Sequence, residues 1–261
     1  MCSRSDSTIP NTPKLCHPVS KNVYESSKLL SEYLLFHYGT PEEILPEAAP
    51  GGMAEALDFA VRTQSHFGGE KVGRGLDLGC AVGRSAYEMS RSCAEMLGID
   101  FSHAFVDAAA ALKNGPLDYS RLDEAHLSTP LKARLPEDLD LSRTSFEQGD
   151  AMHLRADLGS FDRVHAANLL CRLTHPLFLL ERFPELVRPG GELIIATPCT
   201  WLGEFTPPAN WPAGSTLEWL KAHLRQSFDF EFTRDEPFLI RETARKFQWT
   251  ASELSVWTRK R

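Results

Sequence analysis

Asp77 precedes Gly79 and Gly83 in the stretch Gly75–Asp100, which reads GLDLGCAVGRSAYEMSRSCAEMLGID. The two glycines and Ala81 let a backbone loop pass close to a ligand with almost no side chain in between. A dinucleotide loop would read G-x-G-x-x-G, but the equivalent positions here are Gly79, Ala81 and Arg84. A carboxylate at Asp77, beside such a loop, would repel a pyrophosphate and suits an amino group or a cation. Asp100 ends the stretch, placed to accept hydrogen bonds from both hydroxyls of a ribose. The spacing therefore calls for a nucleoside ligand with positive charge and no phosphate.

The surrounding pattern predicts the elements that position these residues. Leu76 to Leu78 is an apolar run that breaks at Gly79, as a buried strand does where it enters a tight turn. Ala86, Met89, Cys93 and Met96 recur at helical spacing and predict a helix opening at Arg84, followed by a short strand, Leu97 to Asp100. Strand, glycine loop, helix, strand and acid is the layout of a nucleoside site in an α/β fold. Ser102 can cap a helix running to Asn114. Thr144–Gln148 reads as the third strand and runs into Gly149-Asp150-Ala151-Met152. There Asp150 could accept from an adenine amino group while Ala151 and Met152 lie against the ring. Taken alone, an Asp-capped turn at a strand end explains the same residues.

Phe161–Asn168 is the fourth strand, and LLCRLTHP follows it across the top of the sheet, placing Asn168 and Arg172 at the carboxyl edge where open α/β sheets bind ligands. Pro176–Val187 reads as a helix stopped by Arg188-Pro189-Gly190-Gly191, Glu192–Thr197 as the fifth strand, and the following PCTWLGEFTPPANW as another part of the rim. Thr216–Arg225 is expected to be helical, Phe228–Thr233 a strand, and Phe247–Thr258 a final edge or hairpin strand.

Ahead of this core, residues 1–20 are polar and proline-bearing and read as a loose leader. Tyr24–Gly39 (YESSKLLSEYLLFHYG) places Leu29, Leu30, Tyr33, Leu34 and His37 on one helical face. A proline- and glycine-rich connection at 40–52 leads to a second expected helix, Gly52–Phe67. The charged segment 117–143, with two prolines, is expected as an exposed insertion with little chemistry of its own. The chain thus divides into the leader and one domain over 21–261, in which 21–67 forms a helical cap.

Composition excludes several other functions. The 261 residues are 42% apolar, ample for a core, and the net charge of −7 provides no basic surface for nucleic acid. Cysteines 2, 16, 80, 93, 171 and 199 form no C-x-x-C pair, so neither zinc, nor any other metal, nor a disulfide framework is indicated. No apolar run approaches membrane-spanning length and residues 1–20 lack a signal-peptide core, so a soluble, cytoplasmic protein with no membrane partner is expected.

The D-x-G-x-x-x-G spacing with Asp100 resembles motif I of class I S-adenosylmethionine-dependent methyltransferases, and GELIIATP after R-P-G-G is also typical of them. S-adenosylmethionine has a ribose, a sulfonium and an α-amino group, and no phosphate. The resemblance implies a Rossmann-like, doubly wound, mostly parallel sheet of seven strands with the last inserted antiparallel. It also implies cofactor contacts from Asp77, Leu78, Gly79, Cys80, Gly83, Asp100, Phe101, Ser102, Asp150, Ala151, Met152 and Asn168.

Further stretches are more selective. YESSKLLSEYLLFHYG, DLGCAVGRSAYEMSR, GIDFSHAFVDAA, GDAMHL, AANLLCRL and FLIRETARKFQW resemble the stand-alone 5(4)-mercaptohistidine N-methyltransferases of ovothiol biosynthesis, over roughly Tyr24 to the C-terminus. YESSKLL departs from them where an acid and a basic residue are expected (E-T-D-[KR]-L). The resemblance implies methyl transfer to an imidazole nitrogen of 5-mercaptohistidine, giving ovothiol A, with a separate sulfoxide synthase and sulfur lyase acting in the same pathway. No H-x-x-x-H-x-H spacing for iron occurs in this sequence. Candidates for holding the acceptor are Tyr24, Lys28, Tyr33, His37, Asn168 and Arg172. Arg172 could pair with a carboxylate, the tyrosines could stack on a ring or lie beside the sulfonium, and His37 could equally be a packed helix residue. No catalytic residue is singled out, and Arg241, Arg245 and Trp249 stay open between folding and binding. Another small amino acid, carboxylate or natural product is the alternative acceptor.

Overall fold

In the computed structural model, residues 23–261 are described; the leader expected at 1–20 lies outside them. Seven strands form one sheet: β1 (Val72–Leu78), β2 (Cys93–Asp100), β5 (Thr144–Gln148), β6 (Phe161–Ala167), β7 (Val187–Thr197), β8 (Phe228–Arg241) and β9 (Phe247–Arg259). Their order is β5-β2-β1-β6-β7-β9-β8. The first five run parallel, and β9 lies antiparallel between β7 and β8. The order reverses between β1 and β6, the switch point where an open α/β sheet leaves a crevice at its carboxyl ends. Phe247–Thr258 was expected as an edge or hairpin strand. It is a hairpin strand in the interior of the sheet, and β8 forms the edge.

Alternation along the strands explains the two layers. Leu193 and Ile195 of β7 face one cluster with Leu179, Leu180, Phe183 and Leu186 of α6 (Pro176–Leu186) and Leu220 and Leu224 of α7 (Thr216–Leu224). Ile194 and Ala196 face the other, with Phe59 of α3 (Phe59–Gln64) and Ala86 and Met89 of α4 (Arg84–Met89).

Cys93 and Met96 do not continue α4. The helix ends after Met89, and both residues belong to β2. Apolar residues in a buried parallel strand satisfy helical spacing as easily as a helix does. Both sulfurs pack over Gly75, where an added Cβ would lie 2.2 Å from the Met96 sulfur and 2.8 Å from the Cys93 sulfur. The helix expected over Gly52–Phe67 is likewise broken, because Asp58 has a left-handed φ of 56° and α3 starts only after it.

Above the carboxyl edge sits the cap. Its first helix, α1 (Ser27–Tyr38), is capped by Ser26, and a short α2 (Pro41–Ile44) follows. The 117–143 insertion contains a hairpin, β3 (Leu117–Glu124) and β4 (Leu127–Ala133), with Tyr119 and Ala133 buried in a cluster with Leu34 and Leu35 of α1. It buttresses the cap. Arg241, at the end of β8, is buried, donates to the carbonyls of Glu43 and Ile44, and pairs with Asp123 of the hairpin at 3.3 Å. Arg121 pairs with the same Asp123 at 2.8 Å. Arg241 therefore serves the fold. Hydrogen bonds from a charged donor contribute roughly 1.5–3 kcal/mol, so Arg241→Ala should lower stability by about that much. Chemical denaturation will read it, and an unchanged midpoint would refute this assignment.

Candidate active site

The glycine loop leaves β1 at Leu78 and is held by backbone geometry. Gly79, Ala81 and Gly83 all have positive φ, at 68°, 47° and 87°. At Gly83 a Cβ would stand 2.8 Å from the Phe146 ring and 2.9 Å from Ala109, so only glycine fits. The N–H groups of Gly79 and Cys80 donate to the Ile99 carbonyl at 2.8 and 3.1 Å, pinning the loop to β2. The Cys80 side chain is buried, and burial pushes its thiol well above the ordinary range, leaving it a packed apolar group.

Asp100 organises what surrounds it. One carboxylate oxygen accepts from Ala81 N–H in the loop and the other from Ser102 N–H, both at 2.9 Å. Each oxygen retains acceptor capacity for a ribose hydroxyl. Burial pushes its pKa up to about 6, against the lowering effect of those two N–H groups. Ser102 caps α5 (His103–Ala111) through Phe105 N–H and donates to the Tyr24 carbonyl at 3.0 Å. Glu25 accepts from His103 N–H and Ala104 N–H, so the segment before α1 is fastened over the end of β2. Phe101 turns outward, 56% exposed, beside this turn.

Asp150 folds its own turn, accepting from Met152 N–H at 2.9 Å and lying 2.8 Å from His153 Nδ1. Ala151 is buried and Met152 half-buried behind it. Asn168 directly follows β6 with φ 55°, and its side-chain oxygen accepts from Ser252 of β9 at 2.6 Å.

The structure places Asp77 differently from expectation. It is 1% exposed, beneath the loop. Ser85 donates to one of its oxygens at 2.5 Å, and His165 Nδ1 lies 2.8 Å from the other. His165 Nε2 in turn lies 3.1 Å from the Thr63 hydroxyl. A ring with Nδ1–H donating to the carboxylate and Nε2 accepting from Thr63 satisfies every polar atom of this chain. Asp77 thus ties the loop to α3, α4 and β6, with both carboxylate oxygens engaged by protein partners. Sequence reasoning missed His165, although a histidine amid the buried residues of FDRVHAA was a signal, and in the parallel register it stands opposite Asp77.

Of the acceptor candidates, Tyr24, Tyr33 and Arg172 come together. The tyrosine rings meet edge-on at 6.3 Å, Tyr33 lies 4.7 Å from Phe105, and the Arg172 guanidinium hydrogen-bonds Tyr24 while resting 4.7 Å over the Phe205 ring. The negative charge of Asp100 reaches both tyrosines. Burial raises both phenols above their ordinary range, so neither is a base at neutral pH. Arg172 makes no ion pair among the described residues. Lys28 does not join them; it is 67% exposed and lies 3.6 Å from Glu32 on the outer side of α1. His37 adjoins the cluster, its ring stacked 5.9 Å from Tyr33, and the charge that reaches it comes from Arg84.

A family model described as a methyltransferase domain matches residues 47–249. The chain belongs to this methyltransferase family. Among curated relatives, methyltransferase GfsG of Streptomyces halstedii is 29% identical over 61% of this chain and 49% of its own length. The ubiquinone biosynthesis O-methyltransferase of Vibrio cholerae is 24% identical over 54% of this chain and 47% of its own. The chain spans about half the length of these relatives. The N-methyltransferase NodS of Bradyrhizobium japonicum WM9, solved with S-adenosyl-L-homocysteine, shares the fold with a TM-score of 0.54, 14% identity, and coverage of 89% of this chain and 99% of that one. The methyltransferase fold found here is therefore the Rossmann-like one expected, and S-adenosylmethionine is the cofactor of the family. Among the described residues of this methyltransferase, no helix is long and apolar enough to cross a membrane.

Proposed function

We propose that the protein transfers the methyl group of S-adenosylmethionine to a small molecule, and that this acceptor is 5-mercaptohistidine, methylated on an imidazole nitrogen to give ovothiol A. The observation that carries the acceptor class is the cluster of Tyr24, Tyr33 and Arg172 beside Asp100. Arg172, free of carboxylates, suits the carboxylate of an amino acid, and two protonated tyrosines suit its ring. The resemblance of the N-terminal helix and of the L-C-R-L and A-R-K-F-Q-W stretches supports the finer identity.

The cofactor supplies an activated methyl on a sulfonium, and the chain supplies position. In this reading Asp100 holds the ribose, while Asp150, Ala151 and Met152 meet the adenine and Phe101 lies beside it. The Tyr24–Tyr33–Arg172 cluster then presents the acceptor in line. In-line displacement gains chiefly from orientation and from a water-poor site. A mercaptoimidazole loses its thiol proton readily, which leaves the ring nitrogen electron-rich, so the lack of a base among these phenols is no obstacle. A sulfoxide synthase and a sulfur lyase would supply the acceptor. The test is incubation of pure protein and S-adenosylmethionine with 5-mercaptohistidine, histidine or ergothioneine, followed by product mass. A single added methyl on 5-mercaptohistidine alone is expected. Preference for either other acceptor, or no product from any, overturns the assignment.

A further inference from the structure

Two buried polar atoms near the glycine loop have no hydrogen-bond partner among the described residues: His37 Nδ1 and Arg84 Nε. Buried polar groups are nearly always paired, so two such atoms in one neighbourhood call for a ligand. They flank the same ring. The His37 and Tyr38 rings are 6.3 Å apart, the Arg84 guanidinium lies 5.7 Å from the Tyr38 ring, and the Tyr38 hydroxyl donates to the Val82 carbonyl at 2.7 Å. The last turn of α1 is therefore fastened to the loop one residue before Gly83. His37 is held by ring contacts, 5.9 Å from Tyr33 and 5.0 Å from Phe36. Arg84 spends one terminal nitrogen on Glu88 at 3.0 Å, which leaves Nε free.

We infer that His37 Nδ1 and Arg84 Nε form the receptor for the carboxylate of the cofactor's methionine moiety. The inference rests on the S-adenosylmethionine reading above. The Arg84 guanidinium lies against Tyr38, which is bonded to the loop, so it borders the loop that the amino-acid end of a nucleoside bound at Asp100 would cross. The neutral imidazole, kept so by burial and by the Arg84 charge with a pKa lowered to about 3, donates one N–H without adding a second buried cation. The cap thus divides its work. Tyr24, Tyr33 and Arg172 serve the acceptor, and His37, one turn beyond Tyr33, serves the cofactor.

The test compares S-adenosylhomocysteine with its decarboxylated analogue, 5′-deoxy-5′-(3-aminopropylthio)adenosine, by calorimetry. The wild type should prefer the carboxylate ligand by about tenfold or more, the effect of hydrogen bonds to a charged group. His37→Phe, which keeps the ring packing, and Arg84→Gln should each remove most of that preference and leave the analogue's affinity unchanged. Equal loss on both ligands, or an undiminished preference in both variants, overturns the inference. If His37→Phe keeps the preference and raises KM for the acceptor instead, the carboxylate is the acceptor's and the inference fails. A wild type that binds neither ligand overturns the cofactor reading itself. Glu88 also pairs with Arg91, at 2.7 Å, so Arg84→Gln does not strip it of every partner, and melting temperatures identify any variant that does not fold.

Discussion

Asp100→Ala should weaken S-adenosylhomocysteine binding by roughly tenfold to a hundredfold or more, read by calorimetry. Removing a charged acceptor of a hydrogen bond costs about 1.5–3 kcal/mol, and this carboxylate does two jobs. It is the expected ribose acceptor, and it also holds the Ala81 and Ser102 N–H groups that shape the loop and the start of α5. Its pKa near 6 adds a pH signature. The carboxyl takes up a proton as pH falls through 6, so wild-type affinity should drop between pH 7 and pH 5, and that drop should vanish in the alanine variant. The stability contribution of this group runs the other way. Its folded pKa is raised above the unfolded value, so its buried charge is a cost above pH 6 that is relieved as pH falls. Undiminished affinity in a folded Asp100→Ala protein would remove the register of the whole site.

Arg172→Ala and Tyr24→Phe should separate acceptor from cofactor. The first removes a guanidinium that makes no ion pair among the described residues, and the second removes the phenol that it hydrogen-bonds. For an acceptor carboxylate held by Arg172, kcat/KM should fall by about tenfold to a hundredfold in Arg172→Ala, and by less in Tyr24→Phe. Affinity for S-adenosylhomocysteine should stay near the wild-type value in both. Lys28→Ala is the internal control, since that side chain is exposed and paired on the far side of α1. Wild-type kinetics in both Arg172→Ala and Tyr24→Phe, with only the melting temperature lowered, would show that the cluster merely packs.

Much of this arrangement was legible because the signals were local. A glycine that must turn, a serine that caps and an acid that ends a strand each leave a mark within a few residues. Gly83, Ser102 and Asp100 were found that way, and Thr144–Gln148 is a strand with the expected ends. What stayed hidden depends on contacts between distant segments. Cys93 and Met96 fit a helix until β1 takes both as strand neighbours. The hydrogen-bond chain of Asp77 is invisible until β6 brings His165 opposite it. Segment 117–143 looks idle until Arg241, more than a hundred residues later, reaches its Asp123. Lys28 and His37 share a helix with Tyr33, but helical phase turns Lys28 toward solvent, while His37, stacked on Tyr33, also reaches the charge of Arg84.

The interior position of β9 has a consequence for the order in which the molecule can be built. β9 is last in chain order among the seven strands, yet β7 and β8 both pair only through it on that side. During synthesis the first five strands can assemble in parallel while β7 presents an open edge. That edge, and all of β8, wait for residues 247–259 to emerge. The same strand brings Ser252 to Asn168, and the β8 that it anchors brings Arg241 to the cap. A ribosome-bound chain short of β9 would therefore carry the glycine loop but neither a closed sheet nor a braced cap, and would expose an unpaired strand edge prone to association.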